Sequence, residues 1–400
     1  MNGGDLQLIS RGVQDKVLTG NPQISFFKMV YRKHANFSIE SSHVPMDTVH
    51  FSLGKTIRCT IPRRGDLMNS AYIQIVMGQK ETSQRESIDC VHLGYSLFKY
   101  IDLHIGGKQI VRHTGEWLHI WNELTLPTTK RTGFDEMTGA STVLHPGEMK
   151  LLYIPLQFWF CRSPGLSLPI IALPYHEVKI SIELEDALFD SSMNNISEDI
   201  IIEDIQLIID FIYLDTNERR RFSESTHEYL IEQIQHPGSE YIELRKPSIR
   251  NPDAIQEPVT NNHTILLNIK YPVKELIWVV KQNDKNKYSF FEHNSAHIVL
   301  NGQERQSERD GVYYSLVQPY QYHTNIPTSM KENNAIHTFS FAMYPEQVVP
   351  SGTCNFSRLD KAQLSLKTKP EHQIKVINVY AVNFNIFRIV NGTGGIVFTK

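Results

Sequence analysis

The feature that most constrains this fold is a two-residue alternation of apolar and polar side chains in segments spread over the whole chain. This alternation puts apolar residues on one face of a strand and polar residues on the other. Many short strands separated by turn residues predict an all-β sandwich or barrel. Strands are predicted at residues 49–53, 57–61, 178–184, 205–213, 265–269, 364–366 and 380–386.

Helical patterns are few. The spacing of Trp117, Trp121 and Leu124 predicts one short helix. A second helix is predicted over residues 225–234, where Ser225 would begin a capping box. Both helices would interrupt a chain that is otherwise built from strands.

The two halves of the chain resemble each other. Residues 101–109 (I-D-L-H-I-G-G-K-Q) and 296–304 (A-H-I-V-L-N-G-Q-E) each predict a strand, a tight turn and a returning strand. Each half also ends on a long alternating strand, at 205–213 and 376–387. Equivalent segments lie about 175 to 195 residues apart, the size of one all-β domain. The sequence therefore predicts two similar β domains in tandem.

Composition excludes several classes of protein. Lys and Arg total 40 against 43 Asp and Glu, so the net charge is −3 and no clustered basic excess predicts nucleic-acid binding. The four cysteines form no C-x-x-C pair, which argues against zinc and a disulfide framework. Without a secretory signal or an apolar run of about 20 residues, the chain is expected to be made in the cytosol.

Motifs that could carry chemistry are incomplete. Gly54-Lys55-Thr56 lacks the first glycine of a phosphate-binding loop, since Val49 stands in its place. Neither H-E pair, at 176–177 and 227–228, has the second histidine of a zinc protease. We therefore predict that the chain is not an enzyme and has no catalytic, metal or cofactor-binding residue.

Residues 19–37 (T-G-N-P-Q-I-S-F-F-K-M-V-Y-R-K-H-A-N-F) form a basic, aromatic segment near the start of the chain. A turn is predicted there because glycine and asparagine tolerate unusual backbone angles and proline fixes its own. Exposed aromatic side chains among lysines and arginines favour docking onto another protein. The residues predicted to act in assembly are Gly20, Asn21, Pro22, Phe26, Phe27 and Tyr31.

Residues 19–37 closely resemble the N-terminal signature of the major capsid proteins of nucleocytoplasmic large DNA viruses, T-G-N-P-Q-x-x-F-F-K-x-x-Y-R-x-x-x-N-F. Two later segments resemble the same family. Residues 158–179 are similar to its W-F-C-R-x-P-G-L-A-L-P-L-I-A-L-x-Y-H-E-V segment, and residues 213–233 are similar to its junction, Y-L-D-x-x-E-R-R-R-F followed by H-E-Y-L-I-E-Q. In the second half the resemblance rests mainly on the strand pattern.

The resemblance implies an all-β double jelly roll, two eight-stranded antiparallel sandwiches in tandem. The predicted parts are an arm at 1–25, a first jelly roll at 26–214, a connector with a short helix at 215–236, and a second jelly roll at 237–400. The implied function is that of a major capsid protein, a homotrimer that serves as a pseudo-hexameric capsomer of an icosahedral shell.

The resemblance also implies partners and a location. The chain would assemble with itself, its arm would lie toward minor capsid proteins and the internal viral membrane, and assembly would take place in the host cytoplasm. Residues 78–96 and 126–150 are long polar insertions, which in the family crown the outer face of the capsomer. No cofactor and no nucleic-acid contact are implied.

Five N-x-[ST] sequons are present, at Asn36, Asn195, Asn262, Asn355 and Asn391. The secretory machinery is not expected to modify them, although some relatives are glycoproteins and modification stays an alternative. Two other functions stay open beside the major capsid protein. One is a carbohydrate-binding jelly roll, which would need exposed aromatics facing carboxylates, and the other is a minor or penton-like capsid component.

Overall fold

The computed structural model describes residues 2–29, 31–241, 262–282, 288–327, 334–368 and 376–399. It divides into two units, residues 1–36 and residues 37–400. The first jelly roll contains the strands β1 Phe37–Pro45, β2 Thr56–Thr60, β3 Leu67–Gln79, β5 Phe98–Ile105, β6 Lys108–His113, β8 Met149–Pro155, β9 Leu168–Pro169, β10 Val178–Leu184 and β11 Ile200–Leu214, and an insertion adds β4 Ile88–Val91 and β7 Ser141–Leu144.

The second jelly roll is also built mainly from strands. Its strands are β12 His227–Gln235, β13 Ser239–Tyr241, β14 Asn262–Leu266, β15 Pro272–Lys281, β16 Ser295–Leu300, β17 Gln303–Asp310, β18 His337–Ser340, β19 Cys354–Asn355, β20 Ala362–Lys367, β21 Val376–Val390 and β22 Thr393–Ile396. The α-helices are α1 Gly3–Ile9, α2 Asp15–Thr19, α3 Leu93–Ser96, α4 Gly115–Thr125, α5 Arg131–Thr138, α6 Trp159–Arg162, α7 Thr216–Glu224 and α8 Gln318–Tyr322.

Strand order shows that the two jelly rolls repeat one topology. The first pairs β1-β11-β3-β8 in one sheet and β2-β10-β5-β6 in the other. The second pairs β12-β21-β15-β18 and β14-β20-β16-β17, which is the same order strand for strand. The predicted internal repeat is therefore confirmed, and so is the double jelly roll.

The predicted hairpins form at equivalent places in the two repeats. β5 and β6 are joined through Gly106 and Gly107, whose φ angles are 58° and 78°. β16 and β17 are joined through Asn301 and Gly302, with φ of 50° and 80°. Two successive positive φ angles define the turn that matches the twist of an antiparallel pair, and asparagine and glycine adopt them at low cost.

Alternation along the strands builds the core. In the first jelly roll, Ile73, Ile75 and Met77 of β3 face inward against Ile180 and Ile182 of β10, and all five are buried. The four tryptophans are buried too, as expected for core residues. In the second jelly roll, a separate cluster around Trp278 fills the space between its two sheets.

Two predicted elements are wrong. Residues 49–53 form no strand, and Val49 is 80% exposed. Residues 225–234 are not a helix, because 227–235 form β12, which pairs with β21 along its whole length. The helix of this region is α7, which ends at Glu224 and begins at the N-cap Asp215. Backbone pairing with a neighbouring strand outweighed the local capping signal.

The insertions of the first jelly roll are ordered. β4 and β7 pair as a two-stranded sheet, and α3 and α5 lie within the same two segments. Ile88 and Leu144, opposite each other in that sheet, are buried. None of the helices in the described ranges has the length and apolar character needed to cross a membrane.

Candidate assembly surfaces

The large sheets of the two jelly rolls differ in what covers their outer faces. In the second jelly roll, every residue of β15 after Pro272 is buried, and β21 is buried from Val376 to Asn385. A strand buried at consecutive positions is covered on both faces of its sheet. In the first jelly roll, β8 alternates instead, and Leu151 on its outer face is 49% exposed.

Helix α4 of the first jelly roll covers the outer face of the second. Every residue of α4 from Gly115 to Leu124 is buried. The helix begins at Thr114, whose hydroxyl accepts a hydrogen bond from the Trp117 amide at 3.0 Å. The Trp117 ring then lies 5.5 Å from the ring of Tyr380 on β21, centroid to centroid. An interior helix thus joins the two jelly rolls.

Glu116 of α4 is the polar centre of this contact. Its carboxylate accepts hydrogen bonds from Lys281 Nζ at 2.6 Å, Asn378 Nδ2 at 2.6 Å and the Tyr380 hydroxyl at 2.9 Å. Burial by itself would raise the pKa of Glu116, but the Lys281 charge and the three donors hold that pKa below its usual value. The carboxylate is therefore charged and fully paired inside the protein.

A second buried charge group also joins the two jelly rolls. Glu232 of β12 pairs with Lys274 of β15 and with Arg162 of α6, so one carboxylate joins two cations from different jelly rolls. The Arg162 guanidinium also stacks over the Trp121 ring, 4.3 Å from its centroid. Burial and the neighbouring Arg162 charge lower the pKa of Lys274, against the effect of Glu232.

A third polar group lies at the C-terminal end of α4. Arg131 bonds to the Glu123 carboxylate at 2.5 Å, and Asn334 donates to the same carboxylate at 3.1 Å. His119 stands one turn before Glu123 and is buried. Burial, with the Arg131 charge, lowers the pKa of His119 to about 3, so this ring is neutral at physiological pH.

The second jelly roll contains a buried histidine whose pKa is raised, in contrast to that of His119. His323 lies between two carboxylates, with Nε2 2.5 Å from Glu275 and Nδ1 3.1 Å from Glu346. Burial opposes its charge, but the two carboxylates raise the pKa of His323 to about 9. An imidazolium between two carboxylates is a charged buried triad at neutral pH.

Glu292, His293 and His337 bring three potential ligand atoms within 4.8 Å of one another. The Trp278 indole nitrogen donates to His293 Nε2 at 3.2 Å. His337 Nε2 lies 2.7 Å from the Glu292 carboxylate. These two contacts use the Nε2 atom of each ring, and the Nδ1 atom of the buried His337 has no hydrogen-bond partner among the described residues.

The residues predicted to act in assembly lie in the 1–36 unit. α2 ends where the Gly20 amide donates to the Lys16 carbonyl at 2.9 Å, and Asn21 adopts a positive φ of 50°. Pro22 follows in the same exposed turn. The predicted aromatic residues are all solvent-exposed, at 88% for Phe26, 99% for Phe27 and 81% for Tyr31. Their part in assembly stays a prediction.

The five sequon asparagines Asn36, Asn195, Asn262, Asn355 and Asn391 are all exposed. That the secretory machinery leaves them unmodified stays a prediction. In contrast to these asparagines, Asp66 is buried. Its carboxylate accepts a hydrogen bond from the Leu214 amide at 2.9 Å and pairs with Arg219 at 3.0 Å. These contacts fasten α7 to the end of β11.

Comparison with known proteins identifies the family. Residues 25–215 match the family model for the major capsid protein N-terminus, and residues 218–395 match that for the large eukaryotic DNA virus major capsid protein. The major capsid protein of Pyramimonas orientalis virus is 40% identical, and the match covers all of both chains. This chain belongs to the major capsid protein family of large eukaryotic DNA viruses.

Solved capsid structures agree with that assignment. A chain of the PBCV-1 virus capsid is 29% identical and superposes with a TM-score of 0.82, covering 94% of this chain and all of that one. The Faustovirus major capsid protein shares the fold at 12% identity, with a TM-score of 0.72 over 95% of this chain and 94% of its own. The predicted family is confirmed, and with it a structural capsid protein of the virion rather than an enzyme.

Sequence reasoning missed the residues that join the two jelly rolls. Glu116 and Lys281 stand 165 positions apart, and no local spacing connects them. One signal was available: Lys274, Glu275 and Lys281 interrupt or end an otherwise apolar strand. Charges on a strand buried on both faces require partners, so they predict a polar contact with another element.

Proposed function

We propose that this major capsid protein assembles as a homotrimer in which six jelly rolls form a pseudo-hexagonal capsomer of an icosahedral shell. The observation that carries the proposal is the repeated strand order of the two jelly rolls. Three copies around a threefold axis would place six similar sandwiches in a ring, and closed symmetry satisfies complementary surfaces. The hexagonal outline would then tile flat facets.

We divide the chain for this role into the arm at 1–25, a first jelly roll at 26–214, a connector at 215–236 and a second jelly roll at 237–400. β12, at 227–235, pairs within the sheet of the second jelly roll, so this part of the connector belongs to that sheet. The insertions at 78–96 and 126–150 would crown the outer face of the capsomer.

The arm would contact minor capsid proteins and the internal membrane beneath the shell, with assembly in the host cytoplasm. Support comes from Phe26, Phe27 and Tyr31, which expose their aromatic rings beside Lys28 and Arg32. Large exposed apolar side chains mark interaction sites more often than free surface. No direct contact with nucleic acid is proposed, because the net charge is −3.

The oligomeric state tests the proposal. Size-exclusion chromatography with light scattering should give a species of three times the chain mass of 46.1 kDa, and electron microscopy should show hexagonal outlines. Deleting residues 1–25 should leave that trimer intact while reducing its incorporation into particles. A chain that stays at 46.1 kDa at every concentration would contradict the homotrimer.

A further inference from the structure

The buried contact at Glu116 holds a lysine amine and an asparagine amide on one carboxylate. Lys281 Nζ donates to Glu116 Oε2 and Asn378 Nδ2 donates to Glu116 Oε1, each at 2.6 Å. Because the two oxygens belong to one carboxylate, the amine and the amide lie side by side. An amine, an amide carbon and a carboxylate that can move protons between them are the groups that an amide-transfer reaction needs.

Strand pairing explains why the amine and the amide meet. Val279 of β15 pairs with Asn378 of β21, and Lys281 pairs with Val376. Lys281 lies two residues beyond Val279, so its side chain leaves the sheet on the same face as that of Asn378. Such diagonal neighbours are about 7–8 Å apart at their Cα atoms, which a long side chain can span. Glu116 reaches this face from helix α4 of the first jelly roll.

The surroundings of the three groups exclude water. The exposed fraction is 7% for Glu116, 3% for Lys281 and 4% for Asn378. The aromatic rings of Trp117 and Tyr380 pack beside them, 5.5 Å apart between centroids. In a site without water, an amine has no competing nucleophile at the amide carbon, and a bond formed there is protected from hydrolysis.

The amide oxygen of Asn378 is a second sign of a reactive site. Asn378 Oδ1 is buried and has no hydrogen-bond partner among the described residues. Buried polar atoms in native proteins nearly always have a partner, and a reactive role is one explanation for an exception. The other buried lysine, Lys274, differs in its surroundings, because its carboxylate Glu232 binds Arg162 in place of an asparagine amide.

We propose that Lys281 and Asn378 form an intramolecular isopeptide bond, with Glu116 as the catalytic residue. Lys281 Nζ passes a proton to Glu116 and attacks Asn378 Cγ, so the Nζ–Cγ bond forms and the Cγ–Nδ2 bond breaks. Glu116 transfers that proton, and the one that Nζ releases on becoming an amide, to Nδ2, which leaves as ammonium. Glu116 is a carboxylate again at the end, and nothing is oxidised or reduced. The reaction occurs once per chain, so the protein does not thereby become an enzyme.

The origin of the three groups sets the timing of the reaction. Glu116 belongs to the first jelly roll and the two reacting residues to the second, so the bond can form only after the jelly rolls have docked. The lowered pKa of Glu116 opposes the first proton transfer, so the reaction should be slow and should follow folding. Its product would join β15 and β21 covalently at the face that α4 covers.

Mass spectrometry of the purified wild-type chain tests the bond. The intact protein should be lighter than its sequence by one ammonia molecule. Trypsin should cut after Lys274, the buried lysine without an amide partner, but not after Lys281, whose amine would be an amide. Peptides 275–285 and 376–388 should be recovered as one linked species. A loss of ammonia without that species would mean that an asparagine had cyclised alone, and the proposal would fail.

Three variants separate the roles of the residues. Lys281→Arg removes the amine and should give no linked species. Glu116→Gln keeps the shape of the side chain but removes the base, and should form the bond at least about 100-fold more slowly. Glu224→Gln is the matched control, because Glu224 forms an exposed pair with Arg220, and it should react like the wild type.

The wild-type result decides the proposal even if a variant does not fold. A wild-type chain that melts cooperatively, keeps the full mass of its sequence after prolonged incubation and is cut after Lys281 would overturn the isopeptide bond. Equal rates of bond formation in the wild type and in a folded Glu116→Gln variant would overturn the catalytic role of Glu116. Neither result would bear on the proposed homotrimer, which light scattering tests separately.

Discussion

The two large sheets have the same strand order but different surroundings. β12-β21-β15-β18 is covered on both faces, on one side by its own jelly roll and on the other by α4. β1-β11-β3-β8 is covered on its inner face, and its outer face keeps Leu151 49% exposed. A chain that repeats one domain twice therefore covers the outer face of one large sheet by its own helix and leaves part of the equivalent face exposed within the described residues.

The covered face also carries buried charge. Glu116 with Lys281, and Glu232 with Arg162 and Lys274, each join groups from both jelly rolls. Buried ion pairs add little net stability, but they fix orientation, because any other arrangement leaves charges unpaired. We interpret the two charge groups as contacts that set the angle between the jelly rolls. A regular ring of jelly rolls would depend on that angle.

The sharpest contrast is predicted between Trp121→Ala, on the buried helix α4, and Val317→Ala, on the surface of the second jelly roll. Trp121 is 4% exposed in the covered contact, and its loss should lower the free energy of unfolding by about 3–5 kcal/mol. Val317→Ala should change protomer stability by less than about 0.5 kcal/mol, since that side chain is on the surface. Denaturant unfolding of both variants would measure the difference, and equal losses would contradict the comparison.

Glu116→Ala should cost about 3–4 kcal/mol, because it leaves Lys281 buried without its carboxylate. Glu224→Ala is the matched control: it removes the exposed pair with Arg220, which should be worth less than about 0.5 kcal/mol. Adding Lys281→Met to Glu116→Leu should recover much of the loss. No recovery in that double variant would show that the charge pair is not the cause.

Acid should destabilise the protein through its buried neutral histidines. Burial lowers the pKa of His113 and of His119 to about 3, with contributions from Arg162 and Arg131. Below pH 6.5 the unfolded chain binds protons that the folded chain does not, so stability falls as pH falls toward 3. Each histidine should cost up to about 1.4 kcal/mol per pH unit.

His119→Gln should therefore flatten the dependence of unfolding free energy on pH between 6.5 and about 4. His50→Gln, at an exposed loop position, is the matched control for replacing a histidine by glutamine. An unchanged slope in His119→Gln would contradict the buried neutral ring.

The His323 triad should make the stability of the fold depend on pH in the alkaline range. Its pKa is raised to about 9, so its stabilising charge is fully present below pH 6.5 and is lost as pH rises through 9. That loss should be roughly 3–4 kcal/mol. Glu346→Gln removes one carboxylate and should move the alkaline transition to lower pH in thermal melts. A transition that does not move would contradict the triad.

The smallest effect is expected in the arm. Phe27→Ser should change the melting temperature of the protomer by no more than about 1–2 °C, because the ring is 99% exposed. A large loss of protomer stability would show that the arm supports the fold instead of serving a partner.

Local pattern predicted most of the fold. β10 covers 178–184 and α4 contains the Trp117 and Trp121 spacing, because each element buries one face and so leaves a period in the sequence. The failure at β12 has a physical cause, since its Tyr229 and Ile231 lie on a strand held by pairing with β21. Local capping residues carry no information about that distant partner.

The assembly surfaces were less predictable. Leu151 reads locally as an ordinary apolar strand position, and only the repeat shows that the equivalent sheet of the second jelly roll is covered. Pairs such as Glu116 and Lys281 depend on how two domains meet, and the sequence of either domain does not determine that. The aromatic arm could be recognised in the sequence because a role in docking onto a partner would not depend on how the arm packs within its own chain.

Light scattering of the purified chain over a wide range of concentrations tests the central claim most directly. The account predicts a species of three times the chain mass of 46.1 kDa. A folded chain that stays at 46.1 kDa at every concentration would contradict it.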